Sequence, residues 1–270
     1  MLSHNGRLQA WIPFYKATQD SITGKNLPQF YQAKKSKRYG IRVANDLYLQ
    51  TAYKDSIIER IKTTEQREKE GYKYSDLGYY LLKKSLENTY KKPLSQLVQE
   101  NFYQSLGANR TSYLPLEKFN KNEIVPTEND AYFRNQLLHG YVHDMGAAML
   151  GGVSGHAGLF SNAYEIAILS QLLLNGGSYG GQHYISPKTI DQFTSRYFKS
   201  TRRGIGFDMK DLDNDKKPNK VPDDDKKSKM HIDKRDKHTE IRKSRLEEES
   251  AINRLYEDGK IRVNEGIKSR

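Results

Sequence analysis

The sequence contains no cysteine. That excludes disulfides, Cys-ligated zinc, iron–sulfur clusters and a Cys nucleophile. It contains no run of about 18 apolar residues either, so no membrane span is expected. The start, Met1-Leu2-Ser3-His4-Asn5-Gly6-Arg7, lacks a basic stretch followed by an apolar one, and no signal peptide is expected there. Apolar residues are sparse, at 36% of 270, while charged residues reach 29%. Ordinary globular chains carry roughly 45–50% apolar residues, so an ordered body joined to a strongly solvated segment is expected.

The net charge is +12. Residues 1–220 hold 31 basic and 21 acidic side chains, and residues 221–270 hold 14 and 12. The last stretch has one aromatic, Tyr256, and its Leu246 and Ile252 are too sparse to bury a face. A boundary is therefore expected near Asn219–Val221, dividing the chain into a 1–219 body and a 220–270 tail, disordered or loosely helical. A basic surface attracts polyanions. The lysines are nevertheless scattered among Tyr and Gln without a recognised motif, and no nucleic-acid partner is expected.

Trp11-Ile12-Pro13-Phe14-Tyr15 is apolar and suited to the core. The spacing of Tyr53, Ile57, Ile58 and Ile61 predicts a helix over 52–69. A second helix is predicted over 76–90, with Asp76 as its cap and Leu77, Tyr80, Leu81 and Leu82 on one face. Pro93 suits the first turn of a third. Residues 108–145, punctuated by Pro115, Pro126, Asn129 and Asp130, read as a long irregular connection. Asn162 and Glu165 have capping-box spacing before a helix with Ile166, Leu169, Leu172 and Leu173 on one face. Ser186-Pro187 opens a short helix through Phe193.

Three constellations bear on chemistry. Tyr74 and Asp76 stand two apart before a helix, where extended backbone turns both to one side. A phenol there, near a Lys, could serve as phenolate base; the plainer reading has Tyr74 packing and Asp76 capping. His156 lies in Gly155-His156-Ala157-Gly158, where a turn would expose it to a substrate or simply to solvent. Ser154 fails the G-x-S-x-G nucleophile pattern because position 156 is His. His139 and His143 are four apart, but Gly140 argues against a helix and no Glu follows His139, so no metal is expected.

Several motifs in order carry a resemblance. They are Met1 to Leu8, Tyr74-Ser75-Asp76-Leu77-Gly78-Tyr79, and Asn101 to Gly107 with Thr111 and Tyr113. Gly140-Tyr141-Val142-His143-Asp144 and Gly151 to Ser161 complete the series. Over residues 1–219 the chain resembles β-lactamase-related serine hydrolases, the family of class C β-lactamases, penicillin-binding-protein-like D-alanyl-D-alanine carboxypeptidases and esterases, in a branch common in Bacteroidetes-type bacteria.

The resemblance implies an α+β, β-lactamase/transpeptidase-like fold, with a helical subdomain on an antiparallel sheet. It implies acyl transfer on amide, ester or β-lactam carbonyls of small-molecule or peptidoglycan-like substrates, without a cofactor. Tyr74 maps onto the base or proton shuttle. Asp76 stands where the family has Asn, keeping an acceptor but losing an amide donor. Gly155, His156 and Gly158 map onto a loop near the substrate pocket. Complete relatives commonly work outside the cytoplasm.

Two family motifs are missing. No Ser has a Lys three residues later, and no Lys/His-Thr-Gly occurs. Lys237-His238-Thr239-Glu240 has Glu in place of Gly. The family places Ser-x-x-Lys upstream of the His4 stretch, and the tail composition suits a frameshift or junction. The expectation is an incomplete, helix-rich and inactive fragment lacking most of the sheet, with order concentrated in 52–200. The alternative is a non-catalytic binding protein with a basic surface, and a complementing chain that supplies missing strands also fits.

Overall fold

The computed structural model describes residues 1–198 and 201–209. The expected boundary at 219, the 220–270 tail and Lys237 to Glu240 lie outside the described residues.

The chain opens with an extended segment and a 3-10 turn, Phe14–Thr18. Three strands follow: β1 (Tyr31–Gln32), β2 (Ile41–Ala44) and β3 (Leu47–Leu49). They form an antiparallel sheet in the order β1-β3-β2. Ile41 and Val43 of β2 are buried while Arg42 between them is exposed, the period-2 alternation of a strand with one covered face.

Helix α1 (Tyr53–Thr63) buries Ile57 and Ile61. Helix α2 (Leu77–Tyr90) buries Leu77, Gly78 and Tyr80, and ends where Lys91 turns left-handed. Helix α3 (Leu94–Val98) starts after Pro93 and runs into a π turn, Gln99–Tyr103. Strand β4 (Ser112–Tyr113) precedes a hairpin of β5 (Pro126–Asp130) and β6 (Gln136–His139). Helix α4 (Met145–Met149) follows, and β7 (Leu159–Phe160) returns to pair with β4. Helix α5 (Ala163–Leu174), a β8 (Ser178–Tyr179) and β9 (Gln182–His183) hairpin, and helix α6 (Pro187–Phe193) complete the described part. The architecture is α+β, and its largest sheet among the described residues has three strands.

The main core joins the sheet, α1, α2 and α4 through Phe14, Val43, Leu49, Ile57, Leu77 and Met149. A second cluster gathers Tyr103, Leu106, Ala108, Ile168 and Leu172. Order therefore extends well before residue 52. Ile12, Phe14 and Tyr15 bury as expected, whereas Trp11 at the start of that stretch is exposed; Tyr31, Ile41 and Val43 give the helices an apolar partner surface.

Other expectations need correction. Residues 108–145 are irregular over slightly more than half their length, but they also hold a hairpin that the sequence did not suggest. Pro126 and Asn129 lie in a strand, and the Asp130 carboxylate accepts the backbone N–H groups of Tyr132, Phe133 and Arg134, which builds the hairpin turn. The same carboxylate accepts Arg134 Nε at 2.6 Å, and both side chains are fully buried. Helix α1 stops at Thr63, where Thr64 turns extended, rather than at 69. Helix α5 is capped by Asn162 as expected, accepting Glu165 N–H at 2.9 Å, but the Glu165 side chain turns away to accept from Thr111 Oγ1 at 2.6 Å and Arg110 N–H. That rotates the covered face to Ile168 and Leu172 and leaves Ile166 exposed.

Candidate functional site

Tyr74 and Asp76 sit immediately before α2. Asp76 does not cap the helix with its side chain. Its backbone is already helical, φ −78° and ψ −21°, and its carbonyl accepts Tyr79 N–H at 2.9 Å. Ser75 takes over locally, its Oγ accepting Leu77 N–H at 3.3 Å and donating to the Gln9 carbonyl at 2.7 Å. The Asp76 carboxylate is thereby left facing the phenol of Tyr74, whose ionisation its charge opposes.

His4 anchors this motif from below. It is buried, and its Nδ1 lies 3.2 Å from both the carbonyl and the N–H of Ser75. Its ring stacks on Tyr74 at 4.5 Å between centroids, with Tyr79 at 5.8 Å and Tyr72 at 6.0 Å. The Arg203 guanidinium lies 5.7 Å from the centre of the Tyr74 ring and is held by Asp208 at 3.3 Å. A cation over a phenol face is attracted to the ring.

The electrostatics do not favour a phenolate. Burial pushes the Tyr74 phenol up, and the Asp76 charge pushes it further, against the smaller opposing effect of Arg203. Burial, with the charge of Arg203, lowers the His4 imidazole, so the neutral ring is favoured. Tyr74 is thus a proton donor poised against a carboxylate. The cation nearest the ring is Arg203, lying on its face, not the Lys that a phenolate base would need.

The glycine-rich turn is built differently from expectation. The His156 ring is not solvent-exposed, its side chain being 5% accessible. It stacks on Tyr80 of α2 at 4.6 Å and 21°. Nε2 lies 3.0 Å from Asp144 Oδ1, and Nδ1 lies 3.0 Å from Ser154 Oγ. Asp144 also caps α4, accepting Ala147 N–H at 2.6 Å. Burial raises the Asp144 carboxyl, but the His156 hydrogen bond and the Ala147 N–H outweigh it and hold it below its ordinary value. An ionised Asp144 only accepts, so Nε2 donates to it, and Ser154 Oγ is the partner of Nδ1. Ser154 is 1% exposed, so its hydroxyl serves this relay and not an outside carbonyl.

Glycine is required around it. A Cβ on Gly155 would stand 3.0 Å from the Tyr79 carbonyl, and one on Gly158, at φ +109°, would stand 2.2 Å from that of Gly152. At Gly146 a Cβ would fall 1.8 Å from the Tyr80 hydroxyl. The two motif regions thus meet the first turn of α2 at neighbouring residues: Gly155 packs on Tyr79, whose ring faces His4, while His156 stacks on Tyr80.

Sequence reasoning missed Arg203, because nothing local in residues 201–208 signals a distant phenol. It weighed Ser154 as a nucleophile without joining it, or Asp144, to His156. The S-x-H spacing and an Asp before a small-residue helix were the available signals. The His139 ring bonds the Ile124 carbonyl, and the His143 carbonyl accepts from Arg134.

Residues 18–217 match the Beta-lactamase family model. Over 229 residues the chain is 34% identical to the "Putative D-alanyl-D-alanine carboxypeptidase" of Escherichia coli (strain K12), covering 76% of this chain and 52% of that protein. A protein of the same name from Salmonella agona (strain SL483) is 37% identical over 179 residues, covering 61% and 41% respectively. The octameric penicillin-binding protein homologue from Pyrococcus abyssi matches with a TM-score of 0.45 at 16% identity, over 76% of this chain and 41% of that one. The chain spans about half the length of the curated relatives it matches. The chain belongs to the Beta-lactamase family.

Proposed function

We propose that the chain carries the tyrosine-motif half of a serine acyl-hydrolase site that recognises D-amino-acid peptide carbonyls and does not itself form an acyl-enzyme. The observation that carries this reading is the placement of Tyr74 beside Asp76 at the start of α2, stacked on a buried His4. The names of the curated relatives support the substrate class.

In this reading Tyr74 passes its proton to the departing amine and recovers one from the attacking hydroxyl, which comes from outside the described residues, while Asp76 orients the phenol. Gly155, His156 and Gly158 form the substrate-side turn, and the Ser154–His156–Asp144 relay holds that turn against α2. A scaffold without a nucleophile keeps binding and electrostatic effects only. Residues 1–219 form the family domain in this account, a boundary in keeping with the match over 18–217.

The test is a titration of the chain with a peptide ending in D-alanyl-D-alanine, against its L,L isomer. Ring resonances of Tyr74 that shift with the D,D peptide alone support the reading, and an equal response to both isomers, or none, overturns it. The non-catalytic alternative, a basic binding surface, predicts instead salt-sensitive binding to a polyanion with Tyr74 unaffected.

A further inference from the structure

Two cavities adjoin at Gly151, of about 350 and 630 Å³, and Lys54, Leu114 and Gly151 line both. The larger lies between α1, α2 and the start of α3. Its charged lining is Lys54, Lys83, Lys84, Lys91 and Lys92 against Asp55 and Glu87. The smaller adds Lys35 and Arg42 against Glu117. Cations from separate elements therefore converge on one hollow.

The acids offset these cations only in part. Glu87 Oε1 already accepts Leu94 N–H at 3.0 Å and stands 3.7 Å from Lys83 Nζ. Lys92 is taken by Glu100 at 2.7 Å. Among the described residues the Lys54 ammonium makes no ion pair or hydrogen bond, although its side chain is half-buried. An ammonium taken out of water without a counter-ion is costly. Burial lowers both the Lys54 and Lys83 amines from their ordinary value, with nearby lysines adding to the effect and Glu87 opposing it. The backbone also leaves space: a Cβ on Gly151, at φ +89°, would stand 3.4 Å from Lys54 Nζ.

We propose that this cavity binds the anionic group of a small ligand, a phosphate or a carboxylate, between Lys54 and Lys83, with Lys84 and Lys91 at its rim. The site is separate from the Tyr74–Asp76 motif. Removing either inner ammonium takes away a charged donor to the anion, and about a tenfold loss of affinity is expected.

The experiment is thermal unfolding of the full chain at pH 7 with increasing sodium phosphate or sodium succinate, each against sodium chloride at matched ionic strength. A ligand of the folded state raises the midpoint saturably, whereas general salting effects do not saturate. Saturable stabilisation that is lost in Lys54→Met and Lys83→Met but kept in Lys62→Met, on the exposed side of α1, supports the site. Phosphate or succinate acting alone identifies the anion class. A response that is absent, or unchanged in Lys54→Met, overturns it. If Lys54→Met does not fold, the wild-type chain with 13C-methylated lysines decides: a saturable shift of the Lys54 resonance with either anion supports the site, and none overturns it.

Discussion

The buried imidazole of His4 lies 4.5 Å from the ring of Tyr74, and its Nδ1 is within 3.2 Å of both polar backbone atoms of Ser75. The extreme N-terminal segment thus fixes the backbone on which the Tyr74–Asp76 pair is carried. His4→Ala removes that support and leaves Ser75 without its partner. A loss of about 2–3 kcal/mol is expected in urea unfolding. His4→Asn, whose amide can replace Nδ1, should recover part of it.

The same histidine sets a pH dependence. Its imidazole is held below the ordinary 6.5, chiefly by burial and then by Arg203. The unfolded chain therefore binds the proton more readily than the folded one. This contribution to stability is complete above about pH 6.5 and is lost as pH falls below it. Unfolding midpoints of wild type should fall through that window, and those of His4→Asn should stay level there. Asp144 and Asp208, held below the ordinary 3.8, lose their contributions only at lower pH.

Arg134→Met should be among the most damaging substitutions. It leaves the Asp130 carboxylate buried without its cation, and frees the Val142 and His143 carbonyls that Arg134 now satisfies. A cost of about 3–5 kcal/mol follows from such a stranded charge. Arg134→Lys should recover little, because one ammonium cannot reproduce the three-way fork. Chemical denaturation of both variants checks this.

Gly146→Ala places a methyl against the Tyr80 hydroxyl, and through Tyr80 against the stacked His156. Overpacking of this kind costs about 1–3 kcal/mol. Tyr80→Phe removes the clashing oxygen, so the double variant should be more stable than the sum of the singles predicts. Additive losses in a double-mutant cycle would contradict the packing described.

Much of this was legible locally. The Ile57 and Ile61 face of α1, the Asn162 and Ser186 caps and the apolar Ile12–Tyr15 stretch each follow from short-range spacing. The β5–β6 hairpin was not, because its turn is closed by a carboxylate whose neighbours look like loop residues. In the candidate site, the spacing of Tyr74 and Asp76 before α2 was readable, but the surroundings of the Tyr74 phenol were not. They depend on burial and on Arg203, which arrives from the far end of the described chain. His156 looked exposed because flanking glycines usually signal open turns. Here they clear space for close packing on Tyr79 and for the Gly152 carbonyl.

The proposal is that Tyr74 and Asp76 serve recognition and proton transfer and that no serine among the described residues is acylated. Its most direct test is intact-protein mass spectrometry after incubation with a penicillin-type acylating probe. The account predicts an unchanged mass. A gain of one probe mass, mapped by peptide digestion to a serine of this chain, would contradict it.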